Sequence, residues 1–455
     1  MISILFLFIC GAAAQTQKID PTNWGAITAP VYGTNEPGYP AQTELFAGPN
    51  KFGAYYGGVL PNGKIVKPAG ASIQVGMSPL GVALTPDGRF LVSSNDNERT
   101  QGTATLLDTG NTGGYSLTVI DTARMTVVSR ISSGRYFVGI QITGRGPYTA
   151  WVSAGPDNQI RLFDISAAGA ITNSTPQSIP IESTRSGNAG YVSSYTPAPV
   201  MNAVNAAGDR PPVPTGFTRT GTTGISYPAG SALSPDGRFL YVACNGDNSV
   251  AVIDTATKKV VRQVDAGYFP YGVAVSTKGD QVLVSNWGVT EYKFLNSVYD
   301  AKDRLTNTGT TAGNQPFGYF VPLTETDGNN PKTSSISLYN APNGNGAALT
   351  GAGAIYHGKP LDELYQVGDT HPSAMAIVRR GETEVLYVAK SNSDALGRLL
   401  LPSNDSLPDF DLAPVAVTLE DGLELHGAYP NALAVSTDNT RLYVAEAGIN
   451  AVAVL

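Results

Sequence analysis

The feature that most constrains this chain is a phrase of about forty residues that it uses over and over. Its most regular form, residues 227–265, reads Y-P-A-G-S-A-L-S-P-D-G-R-F-L-Y-V-A-C-N-G-D-N-S-V-A-V-I-D-T-A-T-K-K-V-V-R-Q-V-D. Apolar or alternating runs at 232–234, 239–243, 249–253 and 260–264 are cut by Pro235-Asp236-Gly237, by 245–248 and by 255–258. Runs of that length between turn residues predict four antiparallel strands in a meander. One such unit cannot bury both of its faces, so copies must stack face to face.

Copies are present. Pro79-Leu80-Gly81-Val82-Ala83-Leu84-Thr85-Pro86-Asp87-Gly88 repeats the opening of the phrase, and Pro270-Tyr271-Gly272-Val273 does so again. Further openings stand at Pro372 and Pro430, and a worn one begins near Phe137, with F-V-G-I-Q-I-T in place of P-L-G-V-A-L-T. Six units are legible, which predicts an all-β chain: a β-propeller of four-stranded antiparallel blades. The last unit stops at Ala451-Val452-Ala453-Val454-Leu455, level with the third strand of the regular copy. Ser72-Ile73-Gln74-Val75 occupies, before the first proline, the place of an outermost strand. Either it closes the ring by pairing with the last unit, which removes a free sheet edge, or a further unit is lacking.

Around the repeats, residues 1–14 carry an apolar run from Ile4 to Cys10 and then Ala12-Ala13-Ala14, which reads as a signal peptide of an exported protein, periplasmic or extracellular. Residues 15–69 form an irregular extension, and 70–455 the propeller, with inserts near 95–114, 182–226 and 289–334. Without the leader, Cys244 is the sole cysteine, which excludes an intrachain disulfide; its setting is that of a small buried residue. Charged residues are 14 % and the formal charge is -7, so no basic field exists to hold a nucleic acid. Beyond the leader, no apolar run is long enough to span a bilayer as a helix.

The phrase S-P-D-G-R-F-L-Y-V-A-C-N-G-D-N-S-V-A-V-I-D-T-A-T-K-K-V at 234–260 resembles the YVTN-type β-propeller repeat. V-L-V-S-N-W-G at 282–288, H-P-S-A-M-A at 371–376 and Y-P-N-A-L-A-V-S at 429–436 resemble the N-terminal propeller of bacterial exported proteins fused to a phosphoesterase of the alkaline-phosphatase type. The resemblance covers residues 70–455. It implies seven blades and a following metal-dependent hydrolase domain, neither of which is matched in full here, so hydrolase activity is not carried over. Similar repeats occur in lactonase-like and surface-layer proteins.

Few residues suggest chemistry. Of three histidines, His371 takes the repeat position of Phe269, just ahead of a proline, where it either packs or faces the channel. Asp87, Asp236 and Asp438 sit in turns that explain them, as do Asp121 and Asp254. Asp96, Glu98 and Asp247 could offer oxygens to calcium, although no full calcium-loop spacing is present; no other cofactor is expected. Trp287 is either core or a stacking surface on the rim. The candidate binding residues are therefore His371, Trp287, Asp96, Glu98 and Asp247. The expected function is a non-catalytic binding or scaffold module, part of a larger phosphoesterase-like protein. Its expected partners are a protein, peptide or glycan at the rim, or a C-terminal hydrolase domain. The rival readings are a lactonase-like metal-dependent hydrolase acting at the channel mouth and a structural repeat of a surface array.

Overall fold

The computed structural model describes residues 79–95, 116–132, 135–183, 226–288, 334–357, 370–412, 428–448 and 451–455, with Ile73, Val75 and a few short strand pairs besides. It is all-β, with six sheets in a propeller arrangement. Blade 1 comprises β1 (Pro79–Leu84), β2 (Phe90–Asn95), β3 (Ser116–Asp121) and β4 (Thr126–Ser132); blade 2 comprises β5 (Ile140–Gly144), β6 (Tyr148–Ala154), β7 (Gln159–Ile165) and β8 (Ile171–Pro180). Blade 3 is β9 (Pro228–Leu233), β10 (Phe239–Cys244), β11 (Ser249–Asp254) and β12 (Lys259–Asp265), and blade 4 is β13 (Pro270–Val275), β14 (Gln281–Asn286), β15 (Ser335–Asn340) and β16 (Thr350–Tyr356). Blade 5 is β17 (Pro372–Arg380), β18 (Thr383–Lys390), β19 (Ala395–Leu401) and β20 (Asp405–Asp411); blade 6 has three strands, β21 (Pro430–Val435), β22 (Leu442–Glu446) and β23 (Ala451–Val454). First strands of successive blades touch and so line the axis.

The turn chemistry explains the repeated aspartates. Ser234 Oγ donates to Asp236 Oδ1 at 2.6 Å, the Arg238 N–H donates to the same oxygen, and Gly237 takes φ 73°. Thr85, Asp87 and Gly88 do the same in blade 1, and Ser436 and Asp438 in blade 6. These are β-turns locked by an Asx side chain.

The core lies between blades. β10 shows why: Leu240, Val242 and Cys244 face blade 2, while Phe239, Tyr241 and Ala243 face blade 4. All six are within 2 % of full burial. A strand covered on both sides reads as an unbroken apolar run, as this one does. Five such seams join the six blades. Each fully buried Val or Leu contributes roughly 1.5–3 kcal/mol to its seam.

One expectation changes, and one alternative finds no support among the described residues. The first strand of blade 3 starts at Pro228 rather than at residue 232, because a proline costs nothing at a strand's first position and a bulge between Pro228 and Ser231 absorbs the irregular register. Among the described residues strand exchange is not seen: Ile73 and Val75 lie in no strand and β23 pairs with β22 alone, while Ser72 and Gln74 fall outside the described residues. The faces that exchange would bring together remain exposed, with Val82 at 64 % and Leu84 at 57 % on blade 1, and Val452 at 62 % and Val454 at 56 % on blade 6.

Candidate functional site

The inner wall of the ring is made of backbone and small residues. In the Pro-x-Gly motif, a Cβ on Gly230 would lie 2.1 Å from the Tyr271 carbonyl oxygen, and one on Gly272 would lie 2.5 Å from that of Ser373. Only glycine permits this approach. Hydroxyl and amide groups then stitch blade to blade: Ser94 Oγ donates to the Phe137 carbonyl, Asn245 Nδ2 to Pro270, Ser285 Oγ to Ser373 and Ser391 Oγ to Pro430.

The mouth differs. The residue before each blade's proline, Tyr227, Phe269, His371 or Tyr429, has φ between 48° and 56°, a left-handed conformation that a bulky residue keeps only when its surroundings enforce it, at a cost of about 1–3 kcal/mol. The enforcement comes from two blades. Asn158 Oδ1 of blade 2 accepts the Tyr227 N–H, Asn248 Oδ1 of blade 3 accepts that of Phe269, and Asp394 Oδ1 of blade 5 accepts that of Tyr429. The carbonyls of these residues and of His371 accept N–H groups from the exit of the blade's own second strand, at Asn245, Trp287, Ser391 and Ala447.

Held this way, the aromatic rings converge. Trp287 stacks on Tyr271 with ring centroids 4.3 Å apart and lies 4.8 Å from His371. Tyr271 also meets Phe137, which in turn packs edge-on against Tyr227. Phe137 belongs to blade 2 and Tyr271 to blade 4, so the Tyr271 ring reaches past blade 3, over the axis. Burial first, and then Tyr429, pushes the Tyr271 hydroxyl up to about 12, so it stays a donor. Burial lowers the His371 pKa, which favours a neutral imidazole. Trp287 Nε1 is buried and finds no acceptor among the described residues. Such a donor is unusual in a settled core.

Of the five candidates, the structure brings Trp287 and His371 together. Asp247, in the turn between Asn245 and Asn248, is not part of that cluster of rings: it is fully buried, with Oδ2 accepting from Ser249 Oγ at 2.8 Å and Gln263 Nε2 at 3.1 Å, and Oδ1 from Ser183 Oγ. Asp96 and Glu98 fall outside the described residues, as does most of the rim loops at 95–114 and 289–334. No three His, Cys, Asp or Glu side chains gather into a possible metal site among the described residues. Sequence reasoning missed Phe137, Tyr227, Tyr271 and Tyr429. The available signal was the aromatic beside the opening proline in blades 3, 4 and 6, and Phe137 in the place of that proline in blade 2. Cys244 is buried, and its thiol is pushed up to about 12 by burial and then by Asp247, so it is inert as a nucleophile.

No protein-family model matches the chain, and no curated protein matches it in sequence. Among solved structures, similarity is found to the periplasmic gluconolactonase PpgL of Pseudomonas aeruginosa, at 13 % identity over 88 % of this chain and 86 % of that one, with a TM-score of 0.49. A functionally unknown protein from Desulfotomaculum acetoxidans shows 16 % identity over 76 % and 74 %, with a TM-score of 0.41. The Cps50 (Swd1) β-propeller domain of Myceliophteria thermophila shows 10 % over 85 % and 98 %, with a TM-score of 0.40. Likeness at this level says nothing of chemistry, and the propeller architecture rests on the six sheets themselves.

Proposed function

We propose that this chain is a binding module that recognises a ring-bearing ligand on the aromatic platform over its axis. The observation that carries the reading is the Tyr271–Trp287–His371 stack with Trp287 Nε1, which has no acceptor among the described residues, beside it. A sugar ring supplies both complements, an apolar C–H face for the rings and hydroxyl acceptors for the indole N–H. An aromatic side chain of a peptide supplies only the first. The backbone-lined wall below supports a role without catalysis. The likeness of the repeats to phosphoesterase-associated propellers supports service as an accessory to a hydrolase, and the apolar leader supports export.

Titration of the full chain with oligosaccharides and with aromatic peptides, followed by tryptophan fluorescence, tests the reading. Oligosaccharide binding should shift the emission and be lost in Trp287→Ala. Peptide binding alone would move the ligand class. Lactone hydrolysis by the wild type that vanished in Asp96→Ala or Glu98→Ala would overturn the non-catalytic reading.

A further inference from the structure

In several blades a polar group at the exit of the second strand is tied to the outer strands, and blade 6 leaves such a tie unfinished. In blade 4, Asn286 Nδ2 donates to Ser335 and Ser337 of the third strand. In blade 3, Gln263 of the fourth strand reaches Asp247 and Ser249. Blade 5 uses charge: Lys390 ends β18, its stem passes over Gly397 of β19, and Nζ meets Asp409 Oδ2 of β20 at 2.6 Å.

Glu446 ends β22 at the same register. Lys390 pairs with Ala395 and Val388 with Gly397; Glu446 pairs with Ala451 and Val444 with Ala453. The third strand of blade 6 thus offers the same small residues to reach across, and among the described residues no fourth strand lies beyond it. The Glu446 side chain is 1 % exposed, and neither of its oxygens has a hydrogen-bond partner among the described residues. A buried carboxylate in that state is costly. Burial, and then Asp394, raises its pKa.

The backbone beside it is equally unfinished. Leu442 and Leu455 exchange both N–H···O bonds at 2.9 Å, so by the antiparallel alternation Ala453 and Ala451 turn their backbone groups inward to β22. Val452 and Val454 then turn theirs outward, and their side chains are exposed. An open edge with apolar side chains is a template for strand addition.

We propose that the edge of β23 is a docking site for an extended segment of another polypeptide, read as β-branched, Lys or Arg, β-branched. The two β-branched residues pair beside Val452 and Val454. The cation crosses Ala453 to Glu446, the Lys390–Asp409 pair with its polarity reversed. A second copy is disfavoured, because its own β23 would bring carboxylate to carboxylate. The proposal is independent of the aromatic platform.

The probe is a labelled peptide built on the sequence of β4, Thr-Val-Val-Val-Arg-Ile-Ser, with Val in place of Ser129 so that both neighbours of the arginine are β-branched. Its arginine, Arg130, sits opposite Thr118, the register that Gly397 and Ala453 hold. Anisotropy with the full chain should show this peptide binding at least about tenfold more tightly than a version with Glu for that Arg. The preference should disappear in Glu446→Gln. Val452→Pro should abolish binding, since it removes an outward N–H and spares the inward ladder; thermal melts show that both variants fold. Equal binding of the two peptides, or binding unaffected by Val452→Pro, overturns the proposal. So does hydrogen exchange of the Val452 and Val454 amides in the free chain as slow as that of Val250 and Val252, because the chain itself would then cover the edge.

Discussion

Blades 3 and 6 carry the same phrase, Leu-Tyr-Val-Ala, in their second strands, and the ring treats it differently. At 240–243 all four residues are fully buried; at 442–445, Leu442 and Val444 are buried while Tyr443 and Ala445 are only half covered. The strand forms in both places, because its pattern and turns are local. The covering is not local. Blade 3 packs on a neighbour at each face and has a fourth strand, whereas among the described residues blade 6 packs on blade 5 alone and has three strands. A repeat therefore specifies a sheet, and its position in the ring decides how much that sheet stabilises.

The most forceful way to test this contrast is at the glycine position. Gly230→Val would drive a side chain into the Tyr271 carbonyl and should cost about 4 kcal/mol or more, enough to prevent folding. Ala432→Val, at the corresponding place in blade 6 where the face is exposed, should change the melting temperature by under about 2 °C. Next comes truncation. Leu240→Ala should cost about 3 kcal/mol in chemical denaturation, whereas Leu84→Ala, 57 % exposed on the open face of blade 1, should stay within about 0.5 kcal/mol. A large loss at Leu84 would mean that this face is covered in solution.

Acid should separate the sealed and open regions by pH. His357, packed beside Lys390 and Gly397, is held down to about 4 by burial and then by Lys390. The unfolded chain takes up that proton near 6.5 and the folded chain does not. The stability that depends on a neutral His357 is therefore complete above about 6.5 and falls away toward pH 4, by on the order of 2 kcal/mol. His357→Gln should flatten that stretch of a melting-temperature profile. Asp438, in a turn of blade 6, is held at about 2 by Ser436 and then Thr440. Its contribution is present above 3.8 and lost as pH falls through 2; being exposed, it should give the smallest change, visible as a difference between wild type and Asp438→Asn only below pH 4.

Much of the blade architecture is legible before any coordinates, because its signals are short-range. Pro235-Asp236-Gly237 announces a turn, and 239–243 announces a strand covered on both faces. The platform at the mouth is less legible. Trp287 and His371 stand far apart in sequence, and Tyr271 reaches Phe137 across an intervening blade. Such contacts follow from ring geometry, which no single repeat contains. Glu446 is similar: in the sequence it is one more residue after Leu-Tyr-Val-Ala, and only the structure shows its carboxylate without a partner among the described residues.

The left-handed residues at the mouth bear on how such a ring can be recombined. Asn158 sits in a turn of blade 2 yet fixes the entry of blade 3 at Tyr227, as Asn248 of blade 3 does for Phe269. Shuffling whole blades at their connecting loops would part each asparagine from the residue it positions. Crossovers placed in the first turn of a blade, near Pro235-Asp236-Gly237, keep the two together, leaving the ladder between first and second strands and the bonds from Asn245 to Tyr227 and Gly246 to Ser226 to be remade, all of them backbone bonds that do not depend on side-chain identity. The heritable unit of this propeller is thus out of phase with its visible one, running from the first turn of one blade to the first turn of the next.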